Sequence, residues 1–227
     1  MYSFAQRPDT VVFDEPLYAH YLRHTTTQAQ HPAEQEILAT MENDGEKVVR
    51  DVILGQHSKP VALCKQMTHH LIQLDEAFLG KTKNVLLIRD PRAIISSYAK
   101  VIPNPTIHDV GIKKQWQLMQ TLQAKGTLDA VVDTQDILRA PQNMLRRLCR
   151  QLGIPFYAAM LHWPAGPRPE DGVWAPHWYD KVHSSTGFRP YQPRTYHLTG
   201  PLAGLARTCR PYYEALYEYA LQVPPTA

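Results

Sequence analysis

Four side chains in this sequence sit where they could do chemistry, three of them just past a short apolar run. Residues 84–100 read NVLLIRDPRAIISSYAK, which delivers Arg89, then Asp90 and Pro91, then Ser97 eight residues after the arginine. Asp90 suits a helix N-cap and Pro91 a first helical turn, so a helix is expected to start at once. A guanidinium, a helix N-terminus and a hydroxyl under two turns into that helix together make an anion site, and arginine can grip a phosphate through two N–H groups. The plain alternative pairs Arg89 with an acid and leaves Ser97 facing solvent, and the residues alone leave the two level.

Residues 11–22, VVFDEPLYAHYL, supply a carboxylate. Pro16 is expected to hold Glu15 extended at a strand end, projecting it over the same edge as Arg89. A carboxylate there could act as general base toward an acceptor hydroxyl; on spacing alone a surface carboxylate beside a turn is the simpler reading. Lys65 ends another apolar run, Val61-Ala62-Leu63-Cys64, and could offset developing negative charge. Taken singly it reads as a solvated lysine. His177 and Trp178, with Trp163, Trp174 and Tyr179, are candidates to line a substrate mouth, although aromatic residues also simply pack. His20 and His24 have metal-ligand spacing, but no Glu follows His20 as in H-E-x-x-H and no third ligand is evident, so no metal is expected. Cys64 lies inside its apolar run, where burial raises a thiol's pKa and makes it inert.

The elements that must position these groups are legible as alternating runs. Val11–Phe13, Val61–Cys64, Val85–Ile88 and Ala130–Val132 are continuous apolar runs, the pattern of strands buried on both faces in a parallel sheet. Helical patterns separate them: 34–41 and 46–54 broken at Asp44-Gly45, then 68–79, 112–124 ending at Gly126, and 141–152 opening on Pro141 and stopping at Gly153. Strands alternating with crossover helices predict an α/β fold with a mainly parallel sheet. From Pro155 onward the texture changes, with eleven of the nineteen prolines and three of the four tryptophans. This composition predicts an irregular aromatic segment over 161–193, followed by an amphipathic helix over 202–221. The expected organisation is one domain, with an α/β core over 1–155, a covering region over 156–200 and a C-terminal helix over 201–222.

Composition bounds the partners. Of 227 residues 44% are hydrophobic, enough for a real core, and no apolar run approaches the roughly 18 residues of a membrane span. Three scattered cysteines argue against a disulfide framework and for a reducing compartment. A net charge of +3 with pI near 8.7 suits an anionic ligand and is too weak for nucleic acid. With no signal-peptide pattern at the start, a cytoplasmic protein is expected, without a membrane partner.

These stretches resemble the sulfotransferases that use PAPS (3′-phosphoadenosine 5′-phosphosulfate), in the branch of bacterial and plant sulfotransferase-like proteins. RDPRAIISSYAK is similar to the family's 3′-phosphate segment, which implies that Arg89 and Ser97 hold that phosphate. VVFDEPLY is similar to the strand ending in Glu-Pro, whose glutamate is a proposed base in carbohydrate-type members, implying that role for Glu15. VVDTQDIL and LRRLCRQLGIPF resemble the acidic turn and the helix that follows it, with Gln135 standing where the family often has glutamate. WAPHWYDKVHSSTGF, 174–188, resembles the loop that covers substrate and nucleotide. The likeness spans most of 4–188 and rests on the order and spacing of its motifs. It implies a P-loop-type fold, PAPS or PAP (3′-phosphoadenosine 5′-phosphate) as co-substrate without a metal, and a small-molecule or glycan-like acceptor. One departure is large: nothing matches Gly-x-x-x-x-Gly-Lys-Ser/Thr or its sulfotransferase relative, so the first strand and the phosphosulfate loop are expected to be missing. Sheet edges left open by that loss would make room for a homodimer. Two functions stay open: sulfuryl transfer from PAPS to a hydroxyl or amine, and a PAP-binding or interaction protein without turnover.

Overall fold

Short runs of valine, isoleucine and leucine pack best on a pleated surface, where a neighbouring strand satisfies their backbone groups. The computed structural model describes residues 1–26, 31–100 and 104–222, and in it all four apolar runs are strands: β1 Thr10–Asp14, β2 Val61–Lys65, β3 Asn84–Ile88 and β4 Leu128–Asp133. β1 pairs with β2 and β3 with β4, both in parallel, so the described strands make two two-stranded sheets. Parallel neighbours need a crossover. The first is built on helices Tyr18–His24, Glu34–Thr40 and Gly45–Val48, the second on Pro91–Tyr98, Ile107–Val110 and Ile112–Ala124. The protein is a mixed α/β chain.

It divides into two compact units, residues 1–81 with 157–189, and residues 82–156 with the chain from Pro190 onward. In the first, Tyr18, Ala19, Tyr21, Leu22, Ile37 and Trp174 form a buried cluster, against which Trp178 and Tyr179 pack. Asp44 caps helix Gly45–Val48 by accepting from the Lys47 N–H, as its residue type favours. Gly45 is required there, because a Cβ would lie 2.7 Å from Nδ1 of His20. Arg7 is fully buried, pairing with Asp9 at 2.9 Å and donating to the Thr10 hydroxyl at 2.8 Å. The helix expected over 68–79 does not form; two 3₁₀ turns, Thr68–His70 and Glu76–Lys81, take its place. The Ile72 carbonyl, which a helix would pair four residues on, instead faces Nε2 of His20 at 2.7 Å, and Gln73 turns the chain with φ +47°.

The second unit follows its sequence pattern closely. Helices Ile112–Ala124 and Pro141–Leu152 have the expected limits, the latter ending on Gly153 at φ +72°, a conformation open to glycine without steric cost. Helix Gly200–Tyr217 buries Cys209 and Leu216. β3 corrects the expectation of strands buried on both faces: Leu86 and Ile88 are buried, whereas Leu87 is 54% and Val85 37% exposed. Only one face of this strand is covered, so alternate residues face solvent. Asp133, wholly buried, accepts from the Gln135 N–H at 2.7 Å and from the Tyr213 hydroxyl at 3.0 Å. Gln135 accepts from Tyr191 at 2.9 Å, so a neutral hydrogen bond stands where an ion pair would need glutamate.

Candidate functional site

In a parallel pair both strands present their carboxyl ends at one edge, where open α/β sheets bind ligands. The β1–β2 register sets Asp14 opposite Lys65, and the Glu15 N–H donates to the Lys65 carbonyl at 2.8 Å. From this edge Lys65 donates to Glu15 Oε1, to Asp14 Oδ1 at 3.1 Å and to the Tyr179 hydroxyl at 2.6 Å. An ammonium has three N–H donors, and all three are taken. The tyrosine in turn donates to Asp14, with its hydroxyl 2.7 and 2.9 Å from the two carboxylate oxygens. Its ring centroid lies 5.0 Å from the ammonium, adding a cation–π contact.

Burial governs the electrostatics. The Asp14 and Glu15 side chains are 1% and 9% exposed while Lys65 is 32% exposed, so of the three charged groups the lysine is the most open to solvent. Burial pushes the Glu15 carboxyl above its ordinary value, against the pull of Lys65. Burial would lower Lys65, but the Glu15 and Asp14 carboxylates outweigh it and hold the ammonium above the usual lysine range. A carboxylate raised in this way is the better proton acceptor near neutral pH.

Glu15 was expected to be extended; its φ is +47°. The left-handed region costs a non-glycine residue of order 1–3 kcal/mol, and strain of this kind persists where surrounding contacts over-determine it. Here the backbone bond to Lys65 and the Tyr18 N–H donating to the Glu15 carbonyl at 2.9 Å hold both sides of the residue. Behind it lies His70, wholly buried with ring centroids 4.9 and 5.0 Å from those of Tyr18 and Tyr21. Its Nε2 is 3.8 Å from Glu15 Oε2, and its Nδ1 is buried without a hydrogen-bond partner among the described residues. Burial pushes this imidazole well below its ordinary value, so it is neutral.

Tyr179 belongs to the 174–188 stretch, and a neighbouring residue helps to fasten that stretch: the Gly172 N–H donates to Asp14 Oδ2 at 3.3 Å. A Cβ on Gly172 would fall 2.1 Å from the Trp174 indole, so only glycine allows this approach. Of the mouth candidates, His177 is exposed on the short helix Ala175–Trp178, and Trp178 is half-buried against the core cluster.

The other two predicted residues lie in the second unit. β3 delivers Arg89 at its carboxyl end, Asp90 caps helix Pro91–Tyr98 through the Arg92 N–H at 2.8 Å, and Ser97 falls in the last turn. Asp90 also takes the Arg92 guanidinium, at 3.1 Å through Nε and 2.6 Å through Nη2. The nearby acid is thereby occupied. Among the described residues neither the Arg89 guanidinium nor the Ser97 hydroxyl has a hydrogen-bonding or ionic partner, and both are exposed.

Asp14 and the hydroxyl of Tyr179 were missed as site residues. The adjacency of two carboxylates at one strand end was a signal; the tyrosine, 165 residues from Asp14, had none beyond its aromatic surroundings. His20 and His24 bond backbone carbonyls at 2.7 and 2.9 Å, and no group of three metal-ligating side chains occurs among the described residues. Burial raises the Cys64 thiol to about 11. No helix among the described residues is long and apolar enough to cross a membrane.

Parallel strands joined by helices, with charged groups at their carboxyl ends, define an α/β protein with a polar site at the strand ends. The family profile described as "Sulfotransferase domain" matches residues 1–220, and the chain belongs to that family. It is 42% identical over 219 residues to branched-chain-amino-acid aminotransferase-like protein 2 of Arabidopsis thaliana, covering 95% of this chain and 38% of that one. It is 46% identical over 204 residues to the like-named protein 1 of that plant, covering 89% of this chain and 36% of that one. The chain thus spans little more than a third of these curated relatives. A sulfotransferase domain from the curacin biosynthetic pathway aligns with a TM-score of 0.41 at 14% identity, over 86% of this chain and 78% of that one.

Proposed function

We propose that this domain transfers a sulfuryl group from PAPS to a hydroxyl or amine of a small-molecule or glycan-like acceptor, leaving PAP. The observation that carries this is the pair of exposed groups after β3, a guanidinium and a hydroxyl that have no partner among the described residues, the hydroxyl on a helix that starts at the strand's end. Those groups fit the 3′-phosphate of the donor, Arg89 as a charged two-pronged donor and Ser97 as a single one. PAPS, when bound, supplies the sulfuryl group and its own leaving phosphate. The chain's residues position and neutralise. Glu15, raised by burial, takes the acceptor proton at the oxygen not held by Lys65, and Lys65 balances negative charge at the same strand end.

The test is a calorimetric titration with PAP of the native chain and Arg89→Ala, followed by a turnover assay with PAPS. Binding that weakens ten- to hundredfold in the variant supports the reading; no PAP binding by the native chain sinks it. A second reading, PAP binding without turnover, is favoured by one feature, the full occupation of the Lys65 ammonium by protein acceptors. PAPS turnover that is lost in Glu15→Gln would exclude it.

A further inference from the structure

The three acceptors on Lys65 are unequal. Glu15 and Asp14 are buried carboxylates fixed at a strand end, and withdrawing a cation from either leaves an unpaired buried charge. The third, the Tyr179 hydroxyl, is neutral, sits on the short stretch between helices Ala175–Trp178 and Asp180–His183, and keeps a donor bond to Asp14 whether or not it accepts from Lys65. It is therefore the partner most easily exchanged. Of the three charged groups Lys65 is the most exposed, so an anion arriving from solvent reaches the ammonium before either carboxylate.

We propose that the Tyr179 hydroxyl is a displaceable occupant of an oxyanion position on Lys65, which a tetrahedral sulfate or phosphate oxygen takes from it. The identity of that oxyanion as the donor's sulfonate rests on the function proposed above; the position itself rests on the geometry. Exchange leaves Tyr179 bonded to Asp14 alone, so arrival of the anion changes how the 174–188 stretch is held. Lys65 thereby serves two states, a counter-ion fully shared among protein groups before binding and a charge offered to the ligand after it.

The sign of the effect separates this from a structural role. Tyr179→Phe keeps the ring and its cation–π contact but frees one ammonium donor. Titrated with inorganic sulfate against chloride at equal ionic strength, it is expected to bind about three- to tenfold tighter than the native chain, the equivalent of one neutral hydrogen bond. A tyrosine that only supports the fold would give weaker or unchanged binding, and either result overturns the proposal. So does a gain that persists when Lys65→Met is added. Should that double variant not fold, the native chain serves: the ¹³Cζ resonance of Tyr179, assigned by its loss in Tyr179→Phe, is expected to move on saturation with sulfate, and a fixed resonance overturns the exchange. PAPS and PAP distinguish the source: a gain for PAPS alone assigns the position to the sulfonate, an equal gain for both to the 5′-phosphate. A sulfate gain in a chain that binds no PAP keeps the oxyanion position and sinks the reading above, whereas PAP binding with no gain for any of the three anions does the reverse.

Discussion

The two units solve the problem of handling an anion in opposite ways. At the β1–β2 end the charges are crowded and mutually satisfied: two buried carboxylates, one partly exposed ammonium and a tyrosine close a network around a strained Glu15. At the β3 end the arginine stands exposed and, among the described residues, without a partner, while the neighbouring Asp90 pairs with Arg92. A closed network holds catalytic groups in register but resists a newcomer, whereas an open guanidinium binds readily and organises nothing by itself. Positioning and capture place different demands on burial, and the chain meets them with different residues.

The contrast makes its largest prediction at Lys65. Lys65→Met leaves two buried carboxylates without a counter-charge, and about 3–5 kcal/mol of stability should be lost, read by denaturant melting. A loss below about 1 kcal/mol would mean that the cluster is solvated and not closed. Arg89→Ala should weaken PAP binding by about 1.5–3 kcal/mol and leave the melting curve in place, since its guanidinium holds no partner among the described residues. A destabilised variant would show instead that Arg89 has a structural partner.

A smaller effect follows from His70. Its folded-state pKa lies well below the unfolded value of 6.5, so on acidification the unfolded chain takes up a proton that the folded chain refuses. Stability from this group is complete above pH 6.5 and falls below it, by on the order of 1 kcal/mol per pH unit until the folded pKa is reached. His70→Phe, which preserves the stacking on Tyr18 and Tyr21, should flatten that decline relative to the native chain. Lys65, His69, His31 and His20 also act on His70, and comparison at matched pH isolates its own part. The smallest effect belongs to Leu87→Lys on the open face of β3, where stability should change by less than about 0.5 kcal/mol. A larger loss would show that this face is covered.

Much of the architecture could be read from local pattern. The four strands and helices 112–124 and 141–152 follow from apolar runs, a proline at a first turn and a glycine stop, because these signals act within a few residues. The failures share a cause. The 68–79 helix is lost to a histidine 52 residues away that faces the Ile72 carbonyl, and the extended Glu15 to backbone bonds that fix it from both sides.

At the site the division is the same. Residue type and position placed Glu15, Lys65, Arg89 and Ser97 at strand ends or just beyond them, since the end of an apolar run is a local event. What the residues could not say was which of these charges would be neutralised. That depended on Asp14 facing Lys65 across a parallel register, on Tyr179 arriving from 114 residues beyond Lys65, and on Asp90 choosing Arg92 over Arg89. Local sequence determines which groups a strand or helix carries. Only the tertiary structure decides their charge partners and their burial, because both are set by segments remote in the chain and brought together by the core.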